Sequence, residues 1–225
     1  MAKQNTNEEV RNGNAEIVAS KAEQFYSTNK KVIWGIVIAV IVLGAAVLGY
    51  TKFIYQPKCE EAQAQMYPAE QLFAAGQYET ALNGDGNVLG FAQVIDEYGA
   101  KAGKAVYFYA GVCALQTGNN EDALNYLKKY KADDPVLAPR AKACQGDALV
   151  NMGEEHYAEA AECFMQAAQM SDNMFAAGYL VKAGVTYEAL GNNDKALECY
   201  QSVKDNYPQS IEAAEIDKYI ARIAE

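Results

Sequence analysis

The sequence predicts an all-α protein: a single N-terminal transmembrane helix, then an α-solenoid of about four helix pairs closed by a C-terminal capping helix. Three observations carry this. Residues 32–51, VIWGIVIAVIVLGAAVLGYT, form a run of 20 uncharged residues. Three later segments repeat one pattern of glycines, alanines and aromatics. Proline, which breaks helices, occurs only five times in 225 residues.

As a helix the apolar run would be about 30 Å long, the thickness of a bilayer's hydrocarbon core. Lys30 and Lys31 flank it on one side and Lys52 on the other, with Trp34 near one interface and Tyr50 and Tyr55 near the other. Amphipathic rings prefer that depth. A cleaved signal peptide is disfavoured because its apolar region is shorter, about 7 to 15 residues, and ends in a small-residue cleavage site. The run here follows a 31-residue tail and no such site succeeds it. Basic residues near the span, Lys21, Lys30 and Lys31 against Lys52 and Lys58, favour a cytoplasmic tail. The expected placement is a single-pass protein of a bacterial inner membrane, N-terminus cytoplasmic and body periplasmic. Its boundaries are expected at 1–31 for a largely disordered tail, 32–55 for the membrane helix, 56–210 for the array and 211–225 for the cap. Within the array the units fall at 62–98, 104–137, 139–172 and 177–210.

The formal charge is −10 and is unevenly distributed. The tail carries five basic and four acidic residues, and the span none. The remaining chain therefore holds 14 basic against 25 acidic residues. Such a body repels phosphate backbones, so nucleic acid is not an expected partner.

No catalytic constellation is legible. The five cysteines, Cys59, Cys113, Cys144, Cys163 and Cys199, contain no C-x-x-C pair, and His156 is the sole histidine. Buried small hydrophobes within helices account for the cysteines. Asn83-Gly84-Asp85-Gly86-Asn87 begins like a calcium loop, but Val88 stands where glycine is needed and Val94 where the bidentate glutamate belongs. We expect no enzyme, metal, cofactor or small-molecule substrate.

The repeats read YFYAGVCALQTGNNEDALNYLKKYKADDP (107–135), KACQGDALVNMGEEHYAEAAECFMQAA (142–168) and LVKAGVTYEALGNNDKALECYQSVKDNYP (180–208). The last supplies Leu180, Ala183, Gly184, Tyr187, Gly191, Ala196, Tyr200, Val203 and Pro208 in order; the first supplies Tyr107, Ala110, Gly111, Ala114, Gly118, Ala123, Leu127, Tyr130 and Pro135. The middle one carries two extra residues in its turn and has Asp172 in place of the final proline. A degenerate first unit has Leu72, Gly76, Tyr78 and Ala81, interrupted by Asn83–Gly90 before resuming at Phe91–Tyr98. This pattern resembles the tetratricopeptide repeat, whose unit is about 34 residues. A mid-helix glycine costs about 1 kcal/mol against alanine unless close helix approach demands it, and its recurrence at 111, 146 and 184 argues for such packing. Gly118 and Gly191 read as helix stops, with Asn120 or Asn193 as the next N-cap.

The resemblance implies a concave face built from the first helix of each pair, used to bind proteins. Its positions fall on Met66, Glu70 and Phe73, on Ala105, Phe108, Val112, Leu115 and Gln116, on Arg140, Ala143, Asp147, Val150 and Asn151, and on Gly178, Val181, Val185, Glu188 and Ala189. Met66, Phe73, Phe108, Val112, Leu115, Val181 and Val185 are the expected protein-binding groove, apolar with an acidic fringe. Packing between helices is the alternative role for these side chains. The whole architecture resembles the YfgM-like ancillary subunits of the Sec translocon. That resemblance implies a chaperone-like or scaffolding partner of translocon subunits and exported proteins. A structural adaptor in an envelope assembly, for outer-membrane biogenesis or division, would share the same features.

Overall fold

A computed structural model describes the backbone of residues 2–171 and 173–224 and the side chains of residues 21, 23–171 and 173–223. Among the described residues every regular element is helical. The chain divides into two units, 1–57 and 58–225.

The first unit is α1 (Ala2–Tyr50), followed by a π-helical turn at Thr51–Tyr55. The tail expected to be largely disordered is thus helical from Ala2. It lacks proline and has Gly13 as its one glycine, so a helix nucleated in the apolar run can extend back at little cost per residue. The helical stretch Glu23–Ala74 contains a window long and apolar enough to cross a membrane, with none of that window buried. Trp34, Leu43, Leu48 and Phe53 are among its exposed apolar side chains. Apolar surface of this extent is stable only when something other than water covers it.

The second unit contains α2 (Gln56–Ala74), α3 (Tyr78–Asn83), α4 (Phe91–Tyr98), α5 (Ala105–Gln116) and α6 (Asn120–Lys129). It continues through α7 (Leu137–Met152), α8 (Tyr157–Met170), α9 (Phe175–Ala189), α10 (Asn193–Asn206) and α11 (Ile216–Ala224). From α5 onward each helix packs on the next, and α5 also touches α7. That neighbour-to-neighbour order makes the unit a helical solenoid.

The mid-helix glycines explain how the pairs close. A Cβ on Gly111 would stand 2.5 Å from Leu127 Cγ, and one on Gly146 2.6 Å from Phe164 Cε1. Each glycine of a first helix thus receives the large side chain of its own second helix, and Leu127 and Phe164 are buried in consequence. The turns within the α5–α6 and α9–α10 pairs close in one way. Gly118 and Gly191 take φ of 82° and 72°. Asn119 and Asn192 then donate their N–H groups to Ala114 and Tyr187 at 2.8 and 2.9 Å. This is the Schellman closure that satisfies the last carbonyls of a helix. The caps fall one residue earlier than expected, at Asn119 and Asn192. Only Asn192 accepts with its side chain, from the Lys195 N–H at 3.3 Å.

The middle pair absorbs its longer turn in a 3₁₀ turn at Glu154–His156. The interrupted unit is resolved as α3 and α4, joined by a loop in which Asp85 accepts from the N–H groups of Asn87 and Val88 at 2.9 and 3.0 Å. Those bonds hold the Asp85 carboxyl below its ordinary range. The capping helix starts later than Ile211, which is 86% exposed. A 3₁₀ turn at Glu212–Ala214 precedes it, and Ile216, Ile220 and Ile223 face the α9–α10 core.

Candidate protein-binding groove

The first-helix face carries a hollow of about 460 Å³ between α5, α7 and α9. From α5 come Val112, Leu115 and Gln116; from α7 Arg140, Ala143, Cys144 and Asp147; from α9 Phe175, Tyr179 and Lys182. Val136 closes the set from the turn before α7. The residues recur at spacings of three and four along each helix, which puts them on one face. Small residues floor it: Ala143 is buried, and Cys144 is half-buried.

Its charges are sorted. Lys182 Nζ lies 2.7 Å from both carboxylate oxygens of Asp147, bridging α7 to α9. Arg140 makes no ion pair among the described residues. Its guanidinium carbon stands 6.0 Å from the centre of the Phe108 ring, where a cation is attracted to the π face. Among the described residues that line the hollow, Asp147 is the one carboxylate. The hollow carries two cations against one carboxylate, and Glu188 further along is engaged by Arg222 at 2.7 Å.

Burial governs the remaining titratable groups. It pushes the Cys144 thiol up to about 11, with Asp147 acting in the same direction. It also raises the Tyr179 hydroxyl above its ordinary range. Cys144 thus stays a neutral thiol near pH 7, a packing group rather than a nucleophile. What the arrangement offers is recognition: an apolar wall, one internal ion pair and one cation.

The structure separates the expected groove residues. Leu115 lines the hollow half-buried, and Val112 contributes to its wall as a largely buried residue, 7% exposed and packed with Phe108 and Leu127. Met66 and Phe108 are core residues, and their assignment to a binding surface is corrected here. Phe108 is 2% exposed because Tyr130, Leu127, Ala138 and Ala141 close over it, while Met66 sits among Ala62, Ala69 and neighbouring core side chains. Phe73 is half-buried in an aromatic cluster, with ring centres 5.5 Å from Tyr78 and 5.2 Å from Tyr109. Val181 packs toward the α9–α11 core, and Val185, though exposed, lies outside the hollow.

The sequence reading missed Val136, Phe175, Tyr179 and Lys182. Val136 is 55% and Phe175 60% exposed. A signal for these two was present: each is a large apolar residue set in a polar turn, after Asp133-Asp134-Pro135 and near Asn173. Exposed apolar side chains beside a hollow commonly mark an interaction site.

Residues 105–135 and 179–210 match the tetratricopeptide repeat family. These segments hold α5 with α6, and most of α9 with α10. No curated protein matches the chain. Repeats of this kind are protein-interaction scaffolds, and the hollow lies on the first helices of both matched units and of the pair between them.

Proposed function

We propose that this is a single-pass membrane protein whose repeat array binds segments of other proteins in the α5–α7–α9 hollow. It would serve as a chaperone-like or scaffolding partner of exported proteins at the Sec translocon of a bacterial inner membrane. The observation that carries the binding role is the hollow itself, walled by Val112 and Leu115 and rimmed by the exposed Val136 and Phe175. Docking an apolar segment there would remove both from water, at about 25 cal/mol per Å² before the costs of association. Binding of that kind is weak and broad, which suits transient contact with many clients. The membrane reading rests on the length and exposure of the apolar helix, and the outward orientation on Lys21, Lys30 and Lys31.

Two experiments test this reading. Protease added to spheroplasts should digest the 58–225 unit while a tag before Lys3 stays protected. A protected body would end the periplasmic assignment and the client role with it. Co-purification in mild detergent, compared between the native chain and Phe175→Ser, should recover translocon subunits. Recovery of a division or outer-membrane assembly complex instead would favour the adaptor role.

A further inference from the structure

We infer that the hollow selects an internal segment of its partner in which a side-chain carboxylate stands beside a large apolar residue. The carboxylate would meet Arg140, and the apolar side chain would meet Val136 and Phe175. This rests on the reading of the hollow as the binding groove and adds the chemistry of its occupant.

Nine of the body's 14 basic residues make no ion pair among the described residues, and Arg140 is set apart from the other eight by its place on the wall of the hollow. Lys182 is already neutralised by Asp147 at 2.7 Å, so among the described residues Arg140 is the charge on the hollow's wall without an ion pair. Its guanidinium stands 6.0 Å from the centre of a buried ring, at the outer reach of a cation–π contact. A preorganised guanidinium matches a carboxylate bidentately and loses less freedom on pairing than a mobile ammonium would. A basic segment would meet Arg140 and find the carboxylate among the described lining residues, Asp147, occupied. The body's overall negative charge does not reverse this preference. At physiological salt the screening length is about 8 Å, so charges at the contact outweigh the distant ones.

An internal side chain fits better than a chain terminus. Terminal carboxylates are captured by several converging donors or a backbone nest. Among the described residues, the hollow presents one cation without an ion pair on one side and apolar surface at its rim.

The test uses the full chain in detergent micelles and three fluorescent peptides of about ten residues, long enough to lie across one groove. One is acetylated and amidated with a Glu between Leu and Phe; the second has Gln there; the third has Gln there and a free C-terminus. The Glu peptide should bind about three- to tenfold tighter than the Gln peptide, the range of an exposed to partly buried bidentate pair. That advantage should vanish in Arg140→Gln, shrink in Arg140→Lys, and decline with added salt. Arg140 is exposed, so an unchanged melting temperature should accompany both substitutions. Equal binding of Glu and Gln peptides, an advantage that survives Arg140→Gln, or tightest binding by the free C-terminus would each overturn the inference. If Glu and Gln peptides bind equally and Phe175→Ser abolishes both, the groove stands and only its carboxylate preference falls. If no peptide binds the native chain, the groove reading falls too.

Discussion

Gly184 and Tyr200 occupy each other's space: a Cβ on Gly184 would stand 2.3 Å from Tyr200 Cε1. The ring cannot step aside, since it is fully buried and its hydroxyl donates to Glu188 at 2.8 Å. Gly184→Leu should therefore lower the urea midpoint, by an overpacking cost of about 1–3 kcal/mol or more. Gly178→Ala is the control. Its added methyl would meet only the carboxylate end of Glu212, at 3.0 Å, and alanine is the better helix former, so stability should hold or rise. A midpoint unmoved by Gly184→Leu would show that the contact is not where α9 and α10 close.

Phe108 and Phe175 should separate stability from binding. Phe108→Ala removes a ring enclosed by Tyr130 and Leu127 and should cost about 3–5 kcal/mol. Phe175→Ser touches an exposed ring and should change stability by less than about 0.5 kcal/mol while weakening client capture. Thermal melts and peptide titration on both variants decide the matter. A large stability loss in Phe175→Ser would make it a packing residue.

The cap is held by exposed ion pairs, Arg222 to Glu188 and Lys204 to Asp217, and by apolar burial, and the two kinds are unequal. Arg222 pairs with Glu188 at 2.7 Å but is largely exposed, so Arg222→Met should cost under about 1 kcal/mol and show mainly as faster hydrogen exchange in α11. Ile216 is 1% exposed, and Ile216→Ala should cost about 2–5 kcal/mol. Equal effects from the two would mean that the ion pair, rather than apolar burial, seats the helix.

Alkaline pH should weaken the fold. Burial raises the Cys113 thiol to about 12 and the Cys144 and Cys199 thiols to about 11, from an ordinary 9.0. Above pH 9 the unfolded chain releases these protons while the folded chain keeps them. The unfolded state is therefore favoured progressively as pH rises from 9 toward 11. Denaturant midpoints from pH 7 to 10.5 should decline beyond 9, and a Cys113→Ala, Cys144→Ala, Cys199→Ala variant should decline less. The Cys113, Cys144 and Cys199 thiols should also react slowly with a disulfide reagent at pH 8 until denaturant is added.

The helix pairs were legible in the sequence because their determinants are local and periodic. Gly111, Gly146 and Gly184 mark where two helices must touch, and Gly118 and Gly191 mark where one must stop. An uncharged run of the right length likewise declares itself without any partner. The groove was only half legible. Helical spacing gives a side chain its direction, and so placed Val112, Leu115, Arg140 and Asp147 on the correct face. Spacing does not say what the neighbouring repeat lays over that face. Tyr130, Ala138 and Ala141 close over Phe108, and the capping helix draws Val181 into the core. Val136 and Phe175 stay uncovered because each stands at the edge of an inter-repeat turn, where no following helix reaches. Which apolar residues remain available, and that Asp147 takes Lys182 while Arg140 stands over Phe108, depends on contacts between residues distant in sequence, 35 and 32 positions apart for those two pairs. Only the packed array decides those.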